Sequence, residues 1–176
     1  METNAIASKN VTEILTVANE YCHFLEKAHK YESKDILSYL QKILPLLYLK
    51  GSLLPSVEVK MPEANERFVT AENYEIIFNE IRNKFKPNDN FWIIDHLQKQ
   101  DIDPKKINIA EYLTDIYQDL KDFVLLYSKG TQAAQENAVH DCKKFFEIHW
   151  GDRLVNVQTY IHHLINADKI AEDDDI

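Results

Sequence analysis

Residues 109–128 read IAEYLTDIYQDLKDFVLLYS. Leu113, Ile116, Tyr117, Leu120, Phe123, Val124 and Tyr127 recur at steps of three and four. That period lines them along one side of an α-helix. Gly130 follows and can close the helix. On the other side Asp115, Asp119 and Asp122 fall at i, i+4 and i+7 and share a face. A solvated face is the expectation for such a stripe, with loose attraction for a hard divalent cation as the alternative.

The same period runs on either side of this helix. Downstream, Val139, Cys142, Phe146, Trp150, Leu154, Val157, Ile161, Leu164 and Ile165 predict one long helix over 132–167. Straight, it would reach on the order of 50 Å. Gly151 interrupts it at about 1 kcal/mol relative to alanine, which points to close backbone packing or a bend. The linker 129–131 is short enough to make the two helices antiparallel neighbours. Upstream, a first helix starts at Asn10, with Glu13 completing a capping box. A second starts at Ser33, is kinked by Pro45 and is ended by Gly51. A third runs from a Thr70 cap to about Lys84, with Pro87 beyond it. Residues 52–69 read as a long loop. Residues 88–108 are ambiguous: the apolar run Phe91–Ile94 is too short to assign by period, and DPKK at 103–106 resembles a turn.

The expected architecture is therefore all-α: a mostly antiparallel bundle of about five helices, with no significant sheet. It has a Pro-kinked second helix and a long C-terminal helix. A single domain over 10–167 lies between a flexible N-terminus, 1–9, and an acidic disordered tail, 168–176. The tail holds five acids and one lysine.

Composition narrows the function classes. The chain has 176 residues and three glycines, which excludes glycine-rich phosphate cradles. Net charge is −9, unevenly spread: residues 1–88 hold 12 acids and 11 bases, residues 89–176 hold 17 acids and 9 bases. Without a basic footprint, nucleic acid is not an expected partner. Cys22 and Cys142 form no CxxC and lie in apolar helical patterns, so buried thiols are expected. No apolar run is long enough for a membrane span or a signal peptide, so no membrane association is expected and the chain reads as cytoplasmic.

Several short motifs add a resemblance. Asp115–Lys121 reads DIYQDLK, Phe146–Gly151 reads FEIHWG, Leu44–Lys50 reads LPLLYLK, and Phe91–Asp95 reads FWIID. The pair D-I-Y-x-D-L-K and F-x-x-H-W-G resembles a family of bacterial all-helical proteins classed as a domain of unknown function. The resemblance spans most of 10–166 and implies a compact helical fold. It brings no activity, cofactor or catalytic residue. The segment Gln98–Asn108 is longer than that family's usual loop.

Two functional readings stay open. No histidine pair at i, i+4, HExxH, GxSxG or nucleophile signature occurs, so no metal and no cofactor is expected and the balance leans against an enzyme. The leading reading is a non-catalytic helical protein acting through protein–protein contacts, with a protein partner or a homo-oligomer, using aromatics of the long helix as a contact surface. The alternative is an enzyme or small-ligand protein with a pocket where the fourth and fifth helices meet, formed by Tyr117, Asp119, His149, Trp150 and Arg153. Counting outward from Gly130 brings Tyr117 and His149 within about two turns, which permits an Asp–His or Tyr–His hydrogen bond.

Overall fold

The computed structural model describes residues 5–94 and 103–174, with side chains as far as Ala167. Among the described residues there are six α-helices: α1 (Lys9–Glu26), α2 (Ser33–Ser52), α3 (Ala71–Phe85), α4 (Ile109–Tyr127), α5 (Gln132–Phe145) and α6 (Gly151–Asp174). A π-helical segment, Phe146–Trp150, joins α5 to α6 without a break. The fold is all-α, with one small two-stranded sheet among the described residues.

The helix that decides the fold sits at its centre. Thirteen of the nineteen residues of α4 are buried, and it packs against α1, α3, α5 and α6. A helix enclosed this way keeps only a narrow part-exposed strip, and two of its three acids leave solvent against expectation: Asp119 and Asp122 are 6% and 5% exposed, while Asp115 is half-buried. Cross-helix contacts fix directions. Asn10 and Glu13 meet Leu53 and Lys50, so α1 and α2 are antiparallel. Tyr74 meets Asp115 while Asp89 meets Ala110, so α3 opposes α4. α1 runs parallel to α4: Tyr21 donates to the Leu113 carbonyl at 2.8 Å and Glu26 meets Lys121 further along both helices.

Several boundaries move. Ser8, not Asn10, caps α1 by accepting from the Val11 amide, and Ile6 just before it is buried. Of the segment 1–9, residues 1–4 lie outside the described residues. α2 continues for two turns past Pro45. Gly51 does not end it; Gly51 is buried inside the helix, and a Cβ there would lie 2.5 Å from the Trp150 ring and 2.7 Å from Phe146. The glycine lets α2 and the π segment approach closely. Gly130 does turn the chain between α4 and α5, at φ +74°. α6 extends beyond Ala167 to Asp174, since no glycine or proline follows Gly151; residues 175–176 lie outside the described set.

Residues 88–108 hold two strands that period alone did not give. β1 (Asn90–Ile93) pairs antiparallel with β2 (Lys105–Asn108), Phe91 opposite Ile107. Lys105 and Lys106 therefore belong to a strand and not to a turn. Four residues are too few to establish a period. Phe91 is buried against Tyr112 and Tyr160, and Asp89 accepts from the Ala110 amide at 3.2 Å, so the hairpin seats the start of α4. Residues 98–102 of the long loop lie outside the described residues.

Candidate functional site

The long helix carries a π turn where the sequence shows FEIHWG. A π turn bonds five residues back rather than four. It brings the Phe146 carbonyl so close to Gly151 that a Cβ there would sit 2.2 Å from that oxygen. Glycine at 151 thus permits the π segment, and the segment re-aims the residues within it. His149 turns toward α4 and donates from Nδ1 to Asp119 Oδ2 at 2.5 Å. The Asp–His hydrogen bond permitted by counting from Gly130 is present. One turn further along, Arg153 Nε donates to Asp115 Oδ2, and its guanidinium lies over the Tyr112 ring.

Of the other expected residues, neither joins this pair. Tyr117 faces α1, where its hydroxyl donates to Glu26 at 3.0 Å. Burial and the neighbouring Glu26 carboxylate push its phenol well above the ordinary value, so it stays a donor. Trp150 is fully buried, and its indole N–H donates to the Cys142 carbonyl at 3.1 Å. It is a core side chain packed against Gly51.

Two contributors came from segments that carried no motif. Arg67, in the connector before α3, donates to Asp122 Oδ2 at 2.9 Å and lies 3.7 Å from Asp119 Oδ1, with its guanidinium 4.6 Å from the centre of the Phe145 ring. Tyr74 of α3 donates to Asp115 at 2.8 Å; burial, then that bond, pushes its phenol up. Asp122 also accepts from the Phe68 and Val69 amides at 2.7 and 2.9 Å. Further along the same connector, Glu136 accepts from the Lys60 amide, while Asn137, His140 and Lys143 donate to the carbonyls of Met61, Val57 and Leu54. A loop without strand partners must find its backbone partners elsewhere. Here side chains of α4 and α5 supply them. Pairings with a distant loop leave no trace in helical period, so nothing in the sequence marked Arg67 or Asp122 as partners.

The chemistry of this cluster follows from its partners. Each buried carboxylate is matched by a cation, an imidazole, a phenol or backbone amides. The cavity beneath Arg67, lined by Asp119, Asp122, Cys142 and Phe145, holds about 10 Å³. That is room for about one water and no substrate. Burial raises the Cys142 thiol well above its ordinary range, which keeps it from acting as a nucleophile there. Among the described residues no group of three His, Cys, Asp or Glu side chains could hold a metal ion. The network ties the connector, α4 and the π segment together.

A second feature lies on the opposite side of the π segment. Over its last two and a half turns α2 presents Pro45, Leu46, Tyr48, Leu49, Ser52 and Leu53 outward, all exposed and none charged. Leu49 is 53% exposed. Beside this ridge Pro45, Tyr48, Val155, Thr159 and His162 line a groove of about 510 Å³ between α2 and α6.

Comparison with known proteins agrees with this architecture. Residues 5–167 match the family described as a domain of unknown function, DUF5063. The chain belongs to that family. Its fold is similar to the crystal structure of protein BF1032 from Bacteroides fragilis, with a TM-score of 0.81 and 36% identity, covering 92% of this chain and 95% of that one. No curated protein matches the chain. Within this chain the stretches DIYQDLK and FEIHWG supply Asp115, Asp119 and His149 of the network, and LPLLYLK supplies Pro45, Leu46, Tyr48 and Leu49 of the outer face of α2. No described helix is long and apolar enough to cross a membrane.

Proposed function

We propose that this protein works by binding another protein through the outer face of α2, and that the Asp119–His149 network is the clamp that holds this face in shape. One observation carries the reading: six outward positions from Pro45 to Leu53 lack any charge, with Leu46, Tyr48, Leu49 and Leu53 each 38–53% exposed. A surface helix ordinarily carries charge on its solvent side. Interface cores are depleted of charge and enriched in aromatic residues. The sequence placed the contact surface on aromatics of the long helix, but Trp150 is spent in the core, so α2 with Val155 of α6 takes that place. The enzyme reading lacks support of the same kind, because the polar cluster encloses no substrate-sized space.

Photocrosslinking in living cells tests this. A photoreactive side chain at position 49 is expected to give a discrete adduct, and the same group at Glu75, exposed on α3, is not. Absence of any adduct at 49, or equal yields at 49 and 75, refutes the reading.

A further inference from the structure

We infer that the partner bound by this face is an acidic amphipathic helix, which lies in a channel between α2 and α6 beside the apolar ridge. The inference rests on the protein-contact reading and states the partner's chemistry.

The channel follows from helix register. Tyr48 shares one hollow with Val155 and Leu37 shares another with Ile165, so α2 and α6 run antiparallel. Along α2 the lining positions Lys34, Leu37, Gln41, Pro45 and Tyr48 step by three and four and fall on one side of the helix. Along α6 Val155, Gln158, His162 and Ile165 step in the same way. The two hollows, of about 510 and 420 Å³, therefore lie end to end. Together they run on the order of 20 Å, the length of about fourteen helical residues. A helix laid along this channel packs its ridges against both walls. Leu37, Pro45, Val155 and Ile165 call for apolar residues on it, and Gln41, Gln158 and His162 for polar ones, which is the pattern of an amphipathic helix docked in a groove.

Charge selects the sign of the polar side. All 29 aspartates and glutamates of the chain lie outside residues 36–57 and 153–167. The nearest in sequence, Asp35, Asp152 and Asp168, fall toward the ends of the channel. Basic groups do occur on this face. Lys50 and Arg153 are taken up by Glu13 and Asp115. Lys34, Lys42, His162 and His163 are exposed, and Lys42 reaches Ser38 of the channel rim at 3.4 Å. On a chain of net charge −9, an acidic partner is repelled elsewhere and accepted here. A basic helix meets the reverse. An anionic bilayer meets the same repulsion from the rest of the chain and, being flat, leaves the channel unfilled.

Display selection of random sixteen-residue segments on the immobilised full chain tests this. Segments enriched on the wild type are expected to carry more Asp and Glu than Lys and Arg, with apolar residues three and four apart. Reversing two exposed charges together, Lys34→Glu with Lys42→Glu, is expected to weaken the enriched segments about 10-fold in fluorescence anisotropy. Val155→Asp, at an exposed position in the channel, is expected to weaken them at least as much, with unchanged circular dichroism. Glu75→Lys on α3 is expected to leave them unaffected. No enrichment, enrichment without an acidic excess, affinity indifferent to these substitutions, or binding to phosphatidylglycerol vesicles in place of any segment overturns the proposal. The photocrosslink separates this failure from that of the parent reading. An adduct at position 49 that maps to an acidic segment of its partner supports the inference. One that maps to a neutral or basic segment overturns it and leaves protein binding by α2 standing.

Discussion

Gly151→Ala sets a helix-favouring substitution against a backbone clash. On propensity alone alanine gains about 1 kcal/mol over glycine inside a helix. The structure opposes this, because the new Cβ would lie 2.2 Å from the Phe146 carbonyl oxygen. Carbon–oxygen contacts settle at about 3.3 Å, so roughly 1 Å must be recovered between two backbone atoms that no rotamer can move. The chain has two ways to respond. It can convert the π turn to an α turn, which rotates α6 by about 100° against α5. That would pull Leu154, Val157 and Ile161, each at most 1% exposed, out of the core. At about 1.5–3 kcal/mol per side chain this route costs at least about 5 kcal/mol. It can instead keep the π turn and bend the backbone, which costs about 4 kcal/mol for a 15° distortion. The second route is cheaper. Less the propensity gain, the expected destabilisation is about 3 kcal/mol, or a fall in Tm of roughly 6–12 °C for a domain of this size. Thermal unfolding followed by circular dichroism measures it directly. A variant with an unchanged or raised Tm would show that the π turn is not held by the missing Cβ.

Two further substitutions probe the rest of the framework. Asp122→Ala removes the acceptor of the Phe68 and Val69 amides and the partner of Arg67; a loss of about 2–4 kcal/mol in urea unfolding is expected, with faster amide exchange across the connector, and exchange unchanged from wild type would count against the latch. Burial holds the Asp89 carboxyl above its ordinary value of 3.8 even though the Ala110 amide donates to it. A carboxyl raised in the folded state contributes stability that is complete below the unfolded value and is lost as pH climbs through the folded one. Asp89→Asn keeps an oxygen for the amide and removes the charge, so it is expected to be at least as stable as wild type at neutral pH, with the advantage gone in acid; a variant weaker at neutral pH refutes this.

Legibility in the sequence followed the range of the interactions involved. The helices α1 to α4, and α5 with α6 as one long helix, were readable because each buries a stripe, and a stripe repeats every three or four residues in the sequence itself; the π segment that divides the long helix was not. Thr70 as a cap and Gly130 as a turn were readable for the same local reason: each acts on its immediate neighbours. The pairing of Asp119 with His149 was reachable because a short linker forces α4 and α5 side by side. Tertiary structure decided the rest. The acids of α4 look solvated in sequence because three aspartates on one face ordinarily seek water. Asp119 and Asp122 are buried and Asp115 half-buried because α4 is surrounded, and because Arg67, two connector amides, Tyr74, His149 and Arg153 arrive from four other segments to compensate them. Gly51 and Gly151 look like a stop and a bend. They are close-approach positions, and what they approach is respectively 99 and 5 residues away in the chain, at Trp150 and Phe146. The uncharged outer face of α2 was visible as letters but not as a surface. Leu44 and Leu47 are as apolar as Leu46 and Leu49, and only packing against the other helices decides which pair is covered.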